Sequence, residues 1–197
     1  TAISYGKSED KLGKIGVSDF KIITKIPKLP YNITNVYDWV IEQTKASIIR
    51  LKVKSLYALL LHQSSDLTGP HGKIIIKAIE DLKLSGLILK AGVSIYDPKE
   101  LDDIYSSLKI DIVQSPLNII DRRLETSGWL SRLYNENTEV HVRSVFLQGL
   151  LLMKRSKIPK KFEKWSNIWD EWILKLNECG LDAVEVCLSY PLNLKEV

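Results

Sequence analysis

The sequence predicts an α/β fold with parallel strands, read as part of a (β/α)8 TIM barrel, and three observations carry that reading. Short runs of aliphatic and β-branched residues alternate with longer amphipathic stretches, the pattern of βαβ units. Most of these runs are almost continuously apolar, as strands covered on both faces should be. No Gly-x-Gly-x-x-Gly follows the first strand, which argues against the dinucleotide-binding form of an open, doubly wound sheet, the other architecture this alternation allows. The 197 residues are expected to form a single domain. A complete barrel takes about 250 residues, so the reading expects an incomplete one, covering about strands three to seven and truncated at both ends.

The elements follow in order. Residues 1–6 read as a loop leading from a strand into a helix, and strands are expected at residues 20–26, 56–63, 87–95, 110–118 and 140–146. Asn32 or Thr34 caps a helix carrying Val36, Trp39 and Val40. Ile75, Ile79 and Leu82 form the stripe of a second helix, stopped by Ser85 and Gly86. Asp97, Pro98 and Glu100 start a third helix, whose stripe is Leu101, Ile104 and Leu108. Trp165, Ile168, Trp169, Trp172 and Leu176 recur at helical spacing, so the tryptophans read as helix core, and that helix is expected to continue past a break at Gly180 to about Ser189.

Composition narrows the function classes. With 45% hydrophobic and 26% charged residues and a net charge of +4, the chain is neither disordered nor fibrous. Its apolar runs fall well short of the roughly 20 residues that cross a bilayer, and no signal peptide is read. Cys179 and Cys187 lie eight positions apart in one expected helix, too far to bridge, which suits reduced thiols and a cytoplasmic protein. The 28 Lys and Arg against 24 Asp and Glu are spread along the chain, so nucleic acid is not an expected partner. The basic stretch from Lys154 to Lys164 reads as a solvated loop, and no His, Cys or carboxylate cluster has metal-ligand spacing.

Chemistry in such folds sits where strands end. Tyr5 lies in the opening loop, Lys25 ends one apolar run and His62 ends the next. A phenol, an ammonium and an imidazole brought to one mouth make a proton-donating site. A free phenol titrates at about 10, and a neighbouring ammonium favours the phenolate, so Lys25 is the group expected to make Tyr5 useful. His62 would then polarise and orient a carbonyl. Ser94, Gln114 and Ser144 reach the same mouth by the strand-end argument, with Gln148 and Gly149 in the loop that follows. His71, in a Gly-Pro-His-Gly turn, and His141, inside the last strand, carry no such signal.

Seven segments in the right order resemble the aldo/keto reductase family and span nearly the whole chain. They are Thr1 to Glu9, Ile23-Thr24-Lys25, Leu59 to His62, Ile79 to Gly86 with Gly92-Val93-Ser94, Val113 to Asn118, Asp121-Arg122-Arg123, and Arg143 to Leu151. The resemblance implies reduction of an aldehyde or ketone, or oxidation of the alcohol, with Tyr5, Lys25 and His62 as catalytic residues and a family aspartate directly before Thr1. It implies NADP as cofactor, with NAD as the alternative, held by Ser94, Gln114, Arg143, Ser144, Phe146, Gln148 and Gly149. Arg143 stands either near the nicotinamide ring or paired with a carboxylate. Ile95 replaces the usual Asn after Ser94, and Arg143-Ser144-Val145-Phe146 replaces a Tyr-Ser-Pro-Leu segment. The latter variant resembles a bacterial branch linked to surface sugars, a pointer to a sugar-like substrate. Two other functions are compatible with the sequence: a cofactor-binding protein without turnover, and a barrel isomerase or lyase that uses no nicotinamide.

Overall fold

The computed structural model describes all of residues 1–197. One sheet of five parallel strands organises it: β1 (Ile23–Ile26), β2 (Leu56–Leu61), β3 (Ile88–Ser94), β4 (Ile112–Pro116) and β5 (Glu139–Arg143). The strand order is β1-β2-β3-β4-β5. A doubly wound sheet reverses its order at a switch point. Here every strand pairs with the next in sequence, so every crossover winds the same way round, as in a barrel. The sheet also curls. Tyr57 of β2 donates to Glu139 of β5 at 2.5 Å, and Lys90 of β3 pairs with the same carboxylate. A flat sheet would hold β2 and β5 about 14 Å apart, and curvature brings these side chains together on the concave face.

Helices cover the convex face: α1 (Ser8–Ile15), α2 (Val36–Leu51), α3 (Gly72–Leu84), α4 (Glu100–Ile104), α5 (Arg123–Thr126) and α6 (Trp129–Asn135). Between them and the sheet lies the main core, with Leu59, Leu61, Val93 and Val113 from the strands and Val40, Ile75, Ile79, Leu101 and Leu133 from the helices. A second core, Leu150, Leu151, Trp169, Trp172 and Cys187, lies under α7 (Ser166–Cys179) and α8 (Ala183–Leu192). Close packing demands glycine at position 92: a Cβ there would stand 1.9 Å from the Ile112 carbonyl oxygen.

Several expectations are corrected. Asn35 caps α2 by accepting the Asp38 amide at 3.1 Å, in place of Asn32 or Thr34. β1 begins at Ile23, because Phe20 and Lys21 face solvent and only the later residues find partners in β2. α4 ends at Ile104, before Leu108. Gly180 adopts a left-handed conformation (φ 63°) that terminates α7, and Asp182 caps α8 afresh, so Cys179 and Cys187 lie on different helices. Both thiols are free. Trp165 precedes α7 and is 40% exposed, unlike buried Trp169 and Trp172. The short α5 and α6 fall in a segment with no expected helix bounds. No helix is long and apolar enough to cross a membrane.

Candidate active site

Tyr5 occupies the turn before α1, and a buried carboxylate fixes that helix in place. Glu9, 2% exposed, accepts from Thr24 Oγ1 at 2.5 Å and pairs with Arg50 at 2.7 Å, tying α1 to β1 and to the end of α2. The Ile3 amide donates to the Lys25 carbonyl at 3.2 Å, and the Thr1 and Ser8 hydroxyls meet at 2.8 Å. Tyr5 is thereby held over the end of β1.

Lys25 is 4% exposed, with its Nζ 3.1 Å from the Thr1 carbonyl and 5.2 Å from the centre of the Tyr5 ring. Burial, then the Arg143 charge, lowers its pKa. His62 follows β2, donates its amide to the Ile26 carbonyl at 3.1 Å, and presents its ring edge-on to Tyr5 at 5.8 Å. Its pKa is also lowered, by burial first and then by Lys25 and Arg143. Phenol, ammonium and imidazole thus share one mouth at the C-terminal ends of adjacent strands. Neither the Tyr5 hydroxyl nor the His62 imidazole hydrogen-bonds to another group of the chain, so both can meet a ligand.

Ser94 ends β3 and stands beside Gln114 of β4 in the ladder. Their hydroxyl and carboxamide also make no side-chain hydrogen bond within the chain. This pair offers the mixed donors and acceptors that a carboxamide such as nicotinamide's requires. Arg143 ends β5, donates to the Ile95 carbonyl at 2.9 Å, and lays its guanidinium 4.3 Å from the Tyr96 ring centre. Ser144 has φ 60°, and Leu147, Gln148 and Gly149 also adopt positive φ (47°, 57° and 85°). Phe146 packs onto the second core instead of the mouth. Gln148 lines a separate cavity of about 510 Å³ with Ile120, Phe162 and Trp165. The structure therefore gathers Tyr5, Lys25, His62 and Arg143, sets Ser94 and Gln114 on neighbouring strands, and leaves Phe146 and Gln148 to one side.

Two residues at the mouth escaped the sequence reading. Asn118, fully buried, accepts the Ile120 and Asp121 amides at 3.0 and 2.8 Å and donates to the Ser144 carbonyl at 3.1 Å, joining the loops after β4 and β5. Its position after Pro116-Leu117 at a strand end was the available signal. Tyr96 carried none, because its role depends on the path of a side chain from β5. No group of three or more His, Cys, Asp or Glu side chains is placed to hold a metal ion.

Comparison with known proteins agrees with this architecture. The chain is similar to glycerol dehydrogenase from Gluconobacter oxydans, with a TM-score of 0.75, 21% identity and coverage of 100% of this chain and 68% of that one. It is similar to the holo form of an aldo-keto reductase from Bacillus halodurans, with a TM-score of 0.60, 24% identity and coverage of 74% of this chain and 49% of that one. At these identities the likeness shows the fold, and the chain spans about half the length of the Bacillus halodurans protein. Comparison with curated proteins returns no match. The model of the aldo/keto reductase family, however, matches residues 1–197, every element described above included, and the chain belongs to that family.

Proposed function

We propose that this chain carries the catalytic centre of an oxidoreductase that reduces a small aldehyde or ketone to an alcohol, with NADPH as the reductant and NADH as the alternative. The observation that supports it most is the convergence of Tyr5, Lys25 and His62 on one mouth. Tyr5 gives its hydroxyl proton to the carbonyl oxygen. The Lys25 ammonium steadies the negative charge left on the phenolate, an interaction strengthened because Lys25 is almost wholly buried. His62, kept neutral at neutral pH by burial and its cationic neighbours, donates an N–H to the same oxygen and orients it. A nicotinamide, when bound, supplies the hydride that no side chain offers. Ser94 and Gln114 would hold its carboxamide, and Ser144 and Gly149 its phosphates. The dehydrogenase and reductase names of the similar structures support a carbonyl–alcohol couple.

In the protein carrying this chain, Tyr5→Phe should lower turnover by about 10²–10⁴-fold while leaving cofactor affinity nearly unchanged, because the phenol meets the reacting oxygen and not the dinucleotide. Steady-state rates with a panel of aldehydes, set beside a fluorescence titration with the reduced cofactor, measure both. Near-normal turnover in the variant would overturn the mechanism.

A further inference from the structure

We propose that Arg143 anchors a carboxylate of the substrate, so that the site takes anionic aldehydes or ketones in preference to neutral ones; this rests on the carbonyl-reducing reading above. Arg143 ends β5, yet its guanidinium does not stay over that strand. It passes over the end of β4 to the Ile95 carbonyl beyond β3, 2.9 Å away, and lies flat enough on Tyr96 to stand 4.3 Å from the ring centre. That path carries it toward β2 and β1, near enough to Lys25 and His62 for its charge to lower the pKa of each.

A guanidinium has five N–H donors. The Ile95 carbonyl takes one and the Ser144 hydroxyl, at 3.4 Å, takes a second, which leaves the others uncommitted. No carboxylate of the chain pairs with Arg143, and the acidic groups of the surrounding loops are engaged elsewhere. Asp97 and Asp121 both bind Arg123, at 2.9 and 2.8 Å. Glu100 accepts the Tyr96 and Asp97 amides and the Ser64 hydroxyl. Asp66 accepts the Leu29 amide at 3.2 Å.

A half-buried cation without a counter-ion is costly to maintain, and here it sits at the mouth where the proton donor stands. The planar fork suits the two oxygens of a carboxylate. Its stacking on Tyr96 and its bond to Ile95 restrain it beforehand, so little freedom remains to be lost when an anion docks.

The test uses the intact protein carrying this chain and two aldehydes of similar shape, 4-carboxybenzaldehyde and the uncharged methyl 4-formylbenzoate, with reduced nicotinamide cofactor. The wild type should favour the acid, and Arg143→Gln should reduce kcat/KM for the acid about tenfold more than for the ester, mainly through KM. Arg143→Lys, which keeps the charge without the fork, should recover part of the loss. Calorimetric titration with terephthalate reads the anchor without turnover, and its affinity should fall about tenfold in Arg143→Gln. Equal losses on the two aldehydes, or unchanged terephthalate binding, would overturn the proposal. Absence of turnover with either aldehyde in the wild type would count against carbonyl reduction, while the titration would still decide the anchor.

Discussion

His62 shows how a single residue links the site to the stability of the fold. Burial, Lys25 and Arg143 hold its pKa in the folded chain below the ordinary value of 6.5. As pH falls past that value the unfolded chain takes up the proton first, so the folded state loses stability between the ordinary pKa and the lowered one, and nothing is lost above it. Denaturant midpoints at about pH 7.5 and about pH 5.5 should therefore separate in the wild type, and His62→Gln should narrow the separation. An unchanged separation would mean that His62 is not held neutral. Residue types were legible in the sequence at this scale, since Lys25 and His62 each end an apolar run and Tyr5 lies in the opening loop. The reach of Arg143 to Ile95 and Tyr96 was not, because it depends on the distance between strands that are 48 residues apart in the chain.

Among the strands, β3 is tightly constrained, and Gly92 is the reason. A side chain there would meet the backbone of Ile112 at 1.9 Å and the Leu60 side chain at 3.0 Å, and the backbone of β4 cannot yield without breaking the ladder. Gly92→Ala should cost about 3 kcal/mol or more, seen as a lower denaturant midpoint; a loss below about 1 kcal/mol would show that β3 and β4 can separate without penalty. The same substitution would displace Ser94, two residues on, and so disturb the mouth. Strand and helix order followed from apolar periodicity and caps. Not all of their ends did: the break at Gly180 was legible, but α4 stops at Ile104 while its apolar spacing runs on to Leu108.

At the scale of the whole molecule, β1 and β5 each pair with one neighbour only, although the Ile3 amide adds a hydrogen bond along β1. On the concave face the side chains of Lys90, Glu139 and His141 remain 28%, 34% and 38% exposed, where a closed barrel would pack them. We propose that further strands close this arc into one barrel domain. Residues 1–197 expressed alone should then aggregate through the open edge of β5 and unfold without a sharp transition, as size-exclusion chromatography and denaturant titration would report. A monomer that unfolds cooperatively would refute this.

Local pattern was enough to identify the parallel α/β class and the succession of strands, because each of those depends on neighbours within a few positions. The sequential strand order and the inward curl are those of the barrel that the sequence predicts. Tertiary structure alone decided the burial of Glu9 that seats Tyr5 over Lys25, and the path by which Arg143 arrives at the mouth. Each of these follows from contacts between residues far apart in the chain, whose distances are set only when the sheet curls and the core packs beneath it.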